Sequence, residues 1–276
     1  MAFQLRYFAG IALALAADPV IGAWSVLQAV CGSLAWLGAI FSTYLYNGYR
    51  DYHEDQVNGS ARPIASDRLS RPAALLVARW AAIASLMSAA CAGPGPLLLC
   101  AAMLLLGLAY SAPRTGWKNS TPATMGVVFA SGLLTYAAGP LALGVSGSSP
   151  ALFLTALAMS LWMALVGAVA KDFSDIEGDA AAGRRTWAVT LGERRTRVLV
   201  AVGACFVGVS FTAGALRWAP EQLPTACVVL VGGLALAAVT LGGNAADDRH
   251  LRRRPYRFFM VTQHCAHLAL LGQAVA

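Results

Sequence analysis

Residues 47–55 read NGYRDYHED and close an apolar run that starts near residue 20; residues 171–179 read KDFSDIEGD and close another that starts near residue 150. Asp and Glu together number only 13 in 276 residues, so their gathering at two helix ends stands out against an almost acid-free chain. An ionisable side chain in a membrane helix costs roughly 2.5–3.5 kcal/mol at mid-bilayer on insertion scales, and so persists where it lines a polar cavity or binds a ligand. For acidic clusters that ligand is a cation.

The composition around these clusters is 58% hydrophobic and 12% charged, with a mean hydropathy of +0.62. These values lie outside the soluble globular range and point to an all-α polytopic membrane protein. A span needs about 20 apolar residues, and the chain parses into nine: 3–17, 20–50, 72–91, 95–112, 121–142, 150–171, 195–216, 222–243 and 256–275. Breaks fall at Asp18-Pro19, Gly93-Pro94-Gly95-Pro96, Thr121-Pro122 and Gly147-Ser148-Ser149-Pro150, where helices are expected to stop. The amino-terminal run has one Arg ahead of it but no small-residue cleavage site leading into a polar mature domain, so it reads as a retained first span. Six cysteines are scattered singly with no CxxC pair, which argues against a disulfide framework or zinc site and for core packing.

Lys and Arg accumulate on cytoplasmic loops, and this parse puts every basic residue but Arg217 on one side. Arg6 precedes the first span, Arg50 to Arg79 surround the second connection, Arg114 and Lys118 follow the fourth span, Lys171 to Arg197 follow the sixth, and Arg249 to Arg257 precede the ninth. The net charge of +7 therefore belongs to one face, that of a cell-membrane protein with its acidic clusters towards the cytoplasm. Such a face reflects topology and contact with anionic lipid. Nucleic acid is not an expected partner, because no binding module accompanies the basic residues.

At about 100° per residue, Asn47, Asp51 and Asp55 drift by only about 40° per step and share a helical face. Asp172, Asp175 and Asp179 fall within about 60° of a common direction, whereas Glu177 points away. The two sets terminate the second and sixth spans on the same side, which suggests two related four-helix units, 1–112 and 121–243, followed by a ninth helix at 256–275, all within one membrane-embedded domain spanning 1–276. Carboxylates this close repel one another unless a cation compensates them. Mg²⁺ is the natural candidate, since it takes oxygen ligands and is commonly held by a few carboxylates with a substrate phosphate; nearby Arg and Lys would serve the remaining phosphate oxygens. The plainer alternative is that these are solvated helix ends paired with arginine.

The residues also resemble the UbiA superfamily of intramembrane prenyltransferases. NGYRDYHEDQVNGSARPIASDRLS, residues 47–70, is similar to its first signature, NxxxDxxxD followed by an RPI/L-x-S-G-R stretch. KDFSDIEGDAAAGRRTWAVTLG, residues 171–192, is similar to the second, including Gly183, Thr186 and Leu191-Gly192; Tyr110-Ser111 with Pro113 and Lys118 gives a fainter third echo. The chain departs from the pattern at Asp67, where glycine is usual, and in lacking an Arg-Pro entry at the amino terminus.

The resemblance implies a nine-helix ring around a central, lipid-accessible chamber. It further implies two Mg²⁺ ions held by Asn47, Asp51, Asp55, Asp172, Asp175 and Asp179, with the five aspartates as catalytic residues. Asn47, Arg62, Tyr110, Lys118 and Lys171 would bind an isoprenyl diphosphate, and Tyr44, Tyr46, Tyr110, Phe129, Tyr136 and Trp162 lie on spans that could shield an allylic cation. The activity implied is Mg²⁺-dependent prenyl transfer to a small aromatic or quinone-precursor acceptor with release of pyrophosphate. Two rivals stand beside it: a membrane terpene cyclase using the same acidic motifs without an acceptor, and a non-catalytic transporter or scaffold. His264 and His267 share a face of the last span and are read as hydrogen-bonding between helices or serving a site.

Overall fold

The computed structural model describes residues 2–17, 23–57, 59–113, 115–145, 149–243 and 248–273. The break at Asp18-Pro19, the Gly147-Ser148 part of another, Arg114, and the outer ends of the second and ninth spans lie outside the described residues. In chain order the elements are α1 (Ala2–Ala17), α2 (Ala23–Arg50), α3 (Tyr52–Val57), α4 (Arg71–Ala92), α5 (Pro94–Ser111) and α6 (Thr121–Ala142). Then come α7 (Pro150–Leu161), a π segment (Trp162–Gly167), α8 (Ala168–Ala170), a 3-10 turn (Lys171–Ser174), α9 (Ile176–Ala181) and α10 (Trp187–Thr190). The chain closes with α11 (Glu193–Trp218), α12 (Leu223–Gly242), α13 (Arg249–Arg252) and α14 (Arg254–Gln273). Among the described residues the only β character is one isolated parallel bridge between Ser120 and Arg185.

The helix limits follow the apolar runs because proline and glycine punctuate them. Gly93, at φ 125°, turns its N–H back onto the Ala89 and Ala90 carbonyls and ends α4, and Pro94 then opens α5, whose first turn loses nothing to a missing N–H. Ser70 and Ser149 cap α4 and α7, accepting from Ala73 N–H and Leu152 N–H. Among the described residues seven helices are long and apolar enough to cross a membrane, and exposed Leu, Val, Phe and Trp along them suit a lipid surround. The expected count of nine is not reached on those criteria: Phe3–Ala17 is a shorter apolar helix, and α14, broken up by Gln263, His264, His267 and Gln273, is not among the seven.

The chain divides into two compact units, Met1–Lys118 with Leu134–Gly147, and Asn119–Leu133 with Ser148–Ala276. In the first, α2 packs against α4 and α5, and a core of Tyr7, Trp36, Met103, Ala138 and Ala142 forms where the end of α6 meets α1 and α2. Small residues permit the close approach: a Cβ on Gly10 would lie 2.3 Å from the Tyr136 carbonyl oxygen, and one on Gly139 2.5 Å from that of Tyr7. In the second, α11, α12 and α14 pack in succession. A Cβ on Gly233 would sit 2.8 Å from the Ala204 carbonyl oxygen, and one on Gly167 2.3 Å from the Phe259 ring, which itself stacks on buried Trp162.

Candidate active site

In the first unit, α2 does not continue through the acidic motif as one helix; it ends at Arg50, Asp51 forms a bend, and α3 follows. The spacing nevertheless survives, because Asp51 N–H donates to the Asn47 carbonyl and Asp55 N–H to the Asp51 carbonyl, both at 2.8 Å. Asn47 donates from Nδ2 to Ser111 Oγ at 3.1 Å, which brings the end of α5 to the motif. Asp51 is 6% exposed and paired with Lys118 Nζ, which also lies 3.6 Å from Glu54. Asp55 accepts from Arg62 Nη1 at 3.0 and 3.2 Å through its two oxygens. Arg62 and Lys118, expected to bind a diphosphate, both lie on the motif carboxylates. Tyr110 is half-buried and no hydrogen bond of it is seen; its neighbour Ser111 makes the contact.

The loop after α3 folds back on the motif. Ile64 is buried and would lie 3.0 Å from a Cβ placed on Gly48, so the tight glycine contact docks the Arg62-Pro63-Ile64 stretch against the motif helix. Asp67, the departure from the usual glycine, has φ 55°. A left-handed backbone explains why glycine serves there, and Asp is among the few side chains that tolerate it. Tyr52 O–H donates to Asp67 Oδ1 at 2.9 Å, and this bond raises the tyrosine pKa. Arg71 lies over the rings of both Tyr49 and Tyr52, 5.0 Å from each.

In the second unit the backbone departs from the even helix assumed by the spacing argument. The 3-10 turn and Asp175 at φ −121°, ψ 12° intervene before α9, so a uniform 100° step does not apply to Asp172, Asp175 and Asp179. Amide contacts still link them, Asp175 N–H to the Asp172 carbonyl at 3.1 Å and Asp179 N–H to the Asp175 carbonyl at 2.8 Å. Asp172 is 2% exposed and pairs with Lys171 at 2.6 Å. Asp175 sits at the rim, accepting from Ser174 Oγ at 3.1 Å and Arg249 Nη2 at 3.2 Å. Asp179 is 3% exposed, with Oδ1 3.3 Å from Arg184 Nη1 and Oδ2 buried without a hydrogen-bond partner. Burial pushes the Asp179 pKa up to about 6, assisted by the charge of Asp172 and opposed by Arg184 and Lys171. The Glu177 side chain is 90% exposed.

The downstream residues anchor this motif to the start of α6. Arg185 N–H donates to the Asn119 carbonyl at 2.7 Å and Trp187 N–H to Thr121 Oγ1 at 2.8 Å, with Gly183 at φ 68° making the turn between. Arg184 and Arg249 are the partners that sequence reasoning left among the topological charges. Arg184 is five residues from its aspartate, but Arg249 is 74 from Asp175, and no local pattern marks it. His264 and His267 each place Nδ1 2.6 Å from the carbonyl oxygen four residues back, a contact within their own helix.

Among the described residues no three His, Cys, Asp or Glu side chains converge on one point, and each motif aspartate has a Lys or Arg beside it. The donor set still fits a hard dication. It consists of carboxylate and amide oxygens, and a buried carboxylate oxygen with no partner is costly unless something compensates it; Asp179 Oδ2 is such an atom.

A profile described as the UbiA prenyltransferase family matches residues 6–262. The chain belongs to that family. It is 32% identical over 180 residues to a chloroplastic 2-acylphloroglucinol 4-prenyltransferase of Humulus lupulus, covering 63% of this chain and 44% of the relative. It is 31% identical over 160 residues to digeranylgeranylglyceryl phosphate synthase of Pyrococcus furiosus, covering 56% and 54%. The chain therefore spans about half the length of the curated relatives it matches. The fold is that of a UbiA homolog from Archaeoglobus fulgidus, solved bound to DMAPP and Mg²⁺, with a TM-score of 0.73 at 17% identity over 100% of this chain and 95% of that one. An apo UbiA homolog from Aeropyrum pernix K1 gives a TM-score of 0.66 at 18% identity over 95% of each chain. With seven apolar spans and this membership, the protein is an integral membrane protein.

Proposed function

We propose that this protein transfers a prenyl group from an isoprenyl diphosphate to a small aromatic or quinone-precursor acceptor, in a Mg²⁺-dependent reaction at the cytoplasmic side of the cell membrane. The observation that carries the reading is the composition of the two motifs, in which buried or half-buried aspartates stand beside Lys and Arg, with one carboxylate oxygen left without a partner. Oxygen donors for a dication next to cations for phosphate are what a metal-diphosphate complex requires. Family membership and curated relatives named as prenyltransferases support it, as does the Archaeoglobus fulgidus homolog of the same fold, which was solved with Mg²⁺ and DMAPP bound.

In the reaction the bond between C1 of the prenyl group and the diphosphate oxygen breaks, a bond forms from C1 to an acceptor carbon, and the acceptor loses a proton as pyrophosphate leaves. Asn47, Asp51 and Asp55 would hold one ion and Asp172, Asp175 and Asp179 a second. The Mg²⁺ they would hold would supply Lewis acidity against the charge that builds on the leaving pyrophosphate. Lys118 and Lys171 stand on buried aspartates and would offer their ammonium groups to phosphate oxygens, and Arg62, on Asp55, would offer a planar fork suited to two oxygens. Tyr110 precedes Ser111, whose contact to Asn47 ties the end of α5 to the first motif, and would contribute to the diphosphate site. Apolar helix surfaces accommodate the prenyl tail and keep water from the cationic carbon.

The test is pyrophosphate release and product analysis with purified protein, Mg²⁺, and C10 to C20 prenyl diphosphates, with and without phenolic acceptors. Acceptor-dependent prenylated product is the expected result. Cyclic hydrocarbon formed without acceptor would replace the transferase with a cyclase, and absence of Mg²⁺-dependent pyrophosphate release would end the enzymatic reading.

A further inference from the structure

The connection between α12 and α14 enters the sequence reading only as a run of positive charge, yet its short helix α13 makes specific contacts with the second acidic motif. Arg249, its first residue, donates from Nε to the Ser174 carbonyl at 3.2 Å and from Nη2 to Asp175 Oδ1 at 3.2 Å. Arg252, one turn on, lies 3.5 Å from Glu193 and 3.7 Å from Glu177. Glu193 is in turn held by Arg197 at 2.6 and 2.9 Å, while Arg197 Nη1 donates to the Thr240 carbonyl at 3.0 Å and its guanidinium lies over the Phe173 ring at 5.4 Å. Phe173 is the residue between Asp172 and Ser174. Arg252 therefore ties α13 to Glu193 at the start of α11, which Arg197 links in turn to α12, while Arg249 reaches the motif.

The cations on the motif aspartates differ in burial. The side chains of Lys118 and Arg184 are 10% and 9% exposed, those of Lys171 and Arg249 35% and that of Arg62 56%; among their aspartates, however, against 3% for Asp172 and 14% for Asp55, Asp175 at 34% is the accessible one. An ion pair this accessible to water is weak and easily exchanged, unlike a buried one. The contact from Nε to the Ser174 carbonyl gives Arg249 a second anchor, independent of Asp175.

We propose that α13 is a clasp on the second acidic motif, in which Arg249 is a positioning residue that orients the Asp175 carboxylate and competes with a divalent cation for it. Removing the guanidinium removes the competitor and the alignment together, so metal affinity and turnover move in opposite directions. A residue that merely supported the fold would lower both.

The inference rests on the transferase reading only for its kinetic arm. Detergent-purified wild type, Arg249→Ala and Arg249→Lys would be titrated with Mn²⁺ by EPR, assayed for pyrophosphate release, and compared by thermal melting. The Ala variant is expected to bind Mn²⁺ about threefold tighter, the scale of an exposed ion pair, while kcat falls roughly tenfold through misplacement of the carboxylate. The Lys variant keeps the competing charge but lacks the fork that bridges two acceptors, so its Mn²⁺ affinity stays at the wild-type value and its kcat lies between the others. Equal or weaker Mn²⁺ binding by the Ala variant overturns the clasp, as does a fall in kcat with metal affinity unchanged. If wild type binds Mn²⁺ but releases no pyrophosphate from any prenyl diphosphate, the transferase reading fails, and the titration alone decides the clasp.

Discussion

Asn47, Asp51 and Asp55 keep their main-chain contacts at intervals of four through a bend, whereas Asp172, Asp175 and Asp179 sit on a backbone that passes from π through α and 3-10 geometry between Trp162 and Ala181. The first motif takes one partner from the adjacent loop and one from farther along its unit: Arg62 lies seven residues from Asp55, whereas Lys118, after α5, lies 67 residues from Asp51. The second buries two aspartates at 2% and 3% exposure, leaves an oxygen of one without a partner, and reaches across the chain to Arg249 for the third. Similar residue types in two registered sets are thus carried on different backbones, one that keeps a four-residue amide repeat through a bend and one that passes through 3-10 geometry. Each set takes one cation from far along the chain, 67 residues away in the first and 74 in the second.

The largest expected effect tests what the motifs share. Asp51→Asn and Asp179→Asn should each lower Mg²⁺-dependent pyrophosphate release by roughly a thousandfold, about 4 kcal/mol in the barrier. A variant of either motif that keeps wild-type turnover removes that motif from the catalytic reading.

Next in size is a pH effect confined to the second motif. With the folded pKa of Asp179 raised from 3.8 to about 6, the folded chain binds this proton more tightly than the unfolded chain. The metal-free protein is therefore stabilised at low pH and loses that contribution as pH rises from about 4 to about 6. A dication needs the ionised carboxylate, so its affinity weakens as pH falls below about 6, by up to tenfold per pH unit. Calorimetric titration should show this step in wild type, and Asp179→Asn should abolish it.

The packing that supports the second motif is tested by Gly167→Ala, whose Cβ would fall 2.3 Å from Phe259 Cζ. Overpacking of this kind costs about 1–3 kcal/mol, to be read as a lower melting temperature in detergent. Smallest of all, Tyr52→Phe removes the bond to Asp67 at the rim of the first motif. The diphosphate KM should rise less than about threefold, in keeping with one exposed hydrogen bond, and a larger change would give the loop a greater part in binding.

The helix limits were legible because apolar runs bounded by Pro, Gly and Ser leave few alternatives: α4, α5 and α6 begin and end within a residue of the limits drawn from hydropathy. Asn47, Asp51 and Asp55 were legible as a set because a bend that keeps its amide contacts also keeps its spacing. The π segment was not, since nothing in WMALVG distinguishes an extra residue per turn from ordinary helix. Arg249 was hidden for a different reason: a loop arginine that satisfies the topological charge rule gives no sign that it also folds back onto Asp175. Of the nine spans read from the sequence, seven meet the length and hydropathy of a crossing helix among the described residues; Phe3–Ala17 is too short, and the amides and imidazoles of α14 dilute its hydropathy.

Where Ala168 N–H reaches back five residues to the Met163 carbonyl, the sixth span carries one residue more than an α-helix of the same turns would use. That surplus works as a phase setting. Deleting a single residue between Trp162 and Gly167 would let the span relax into plain α-helix, rotate all that follows by about 100°, and swing Asp172 away from its burial site while leaving every carboxylate in the chain.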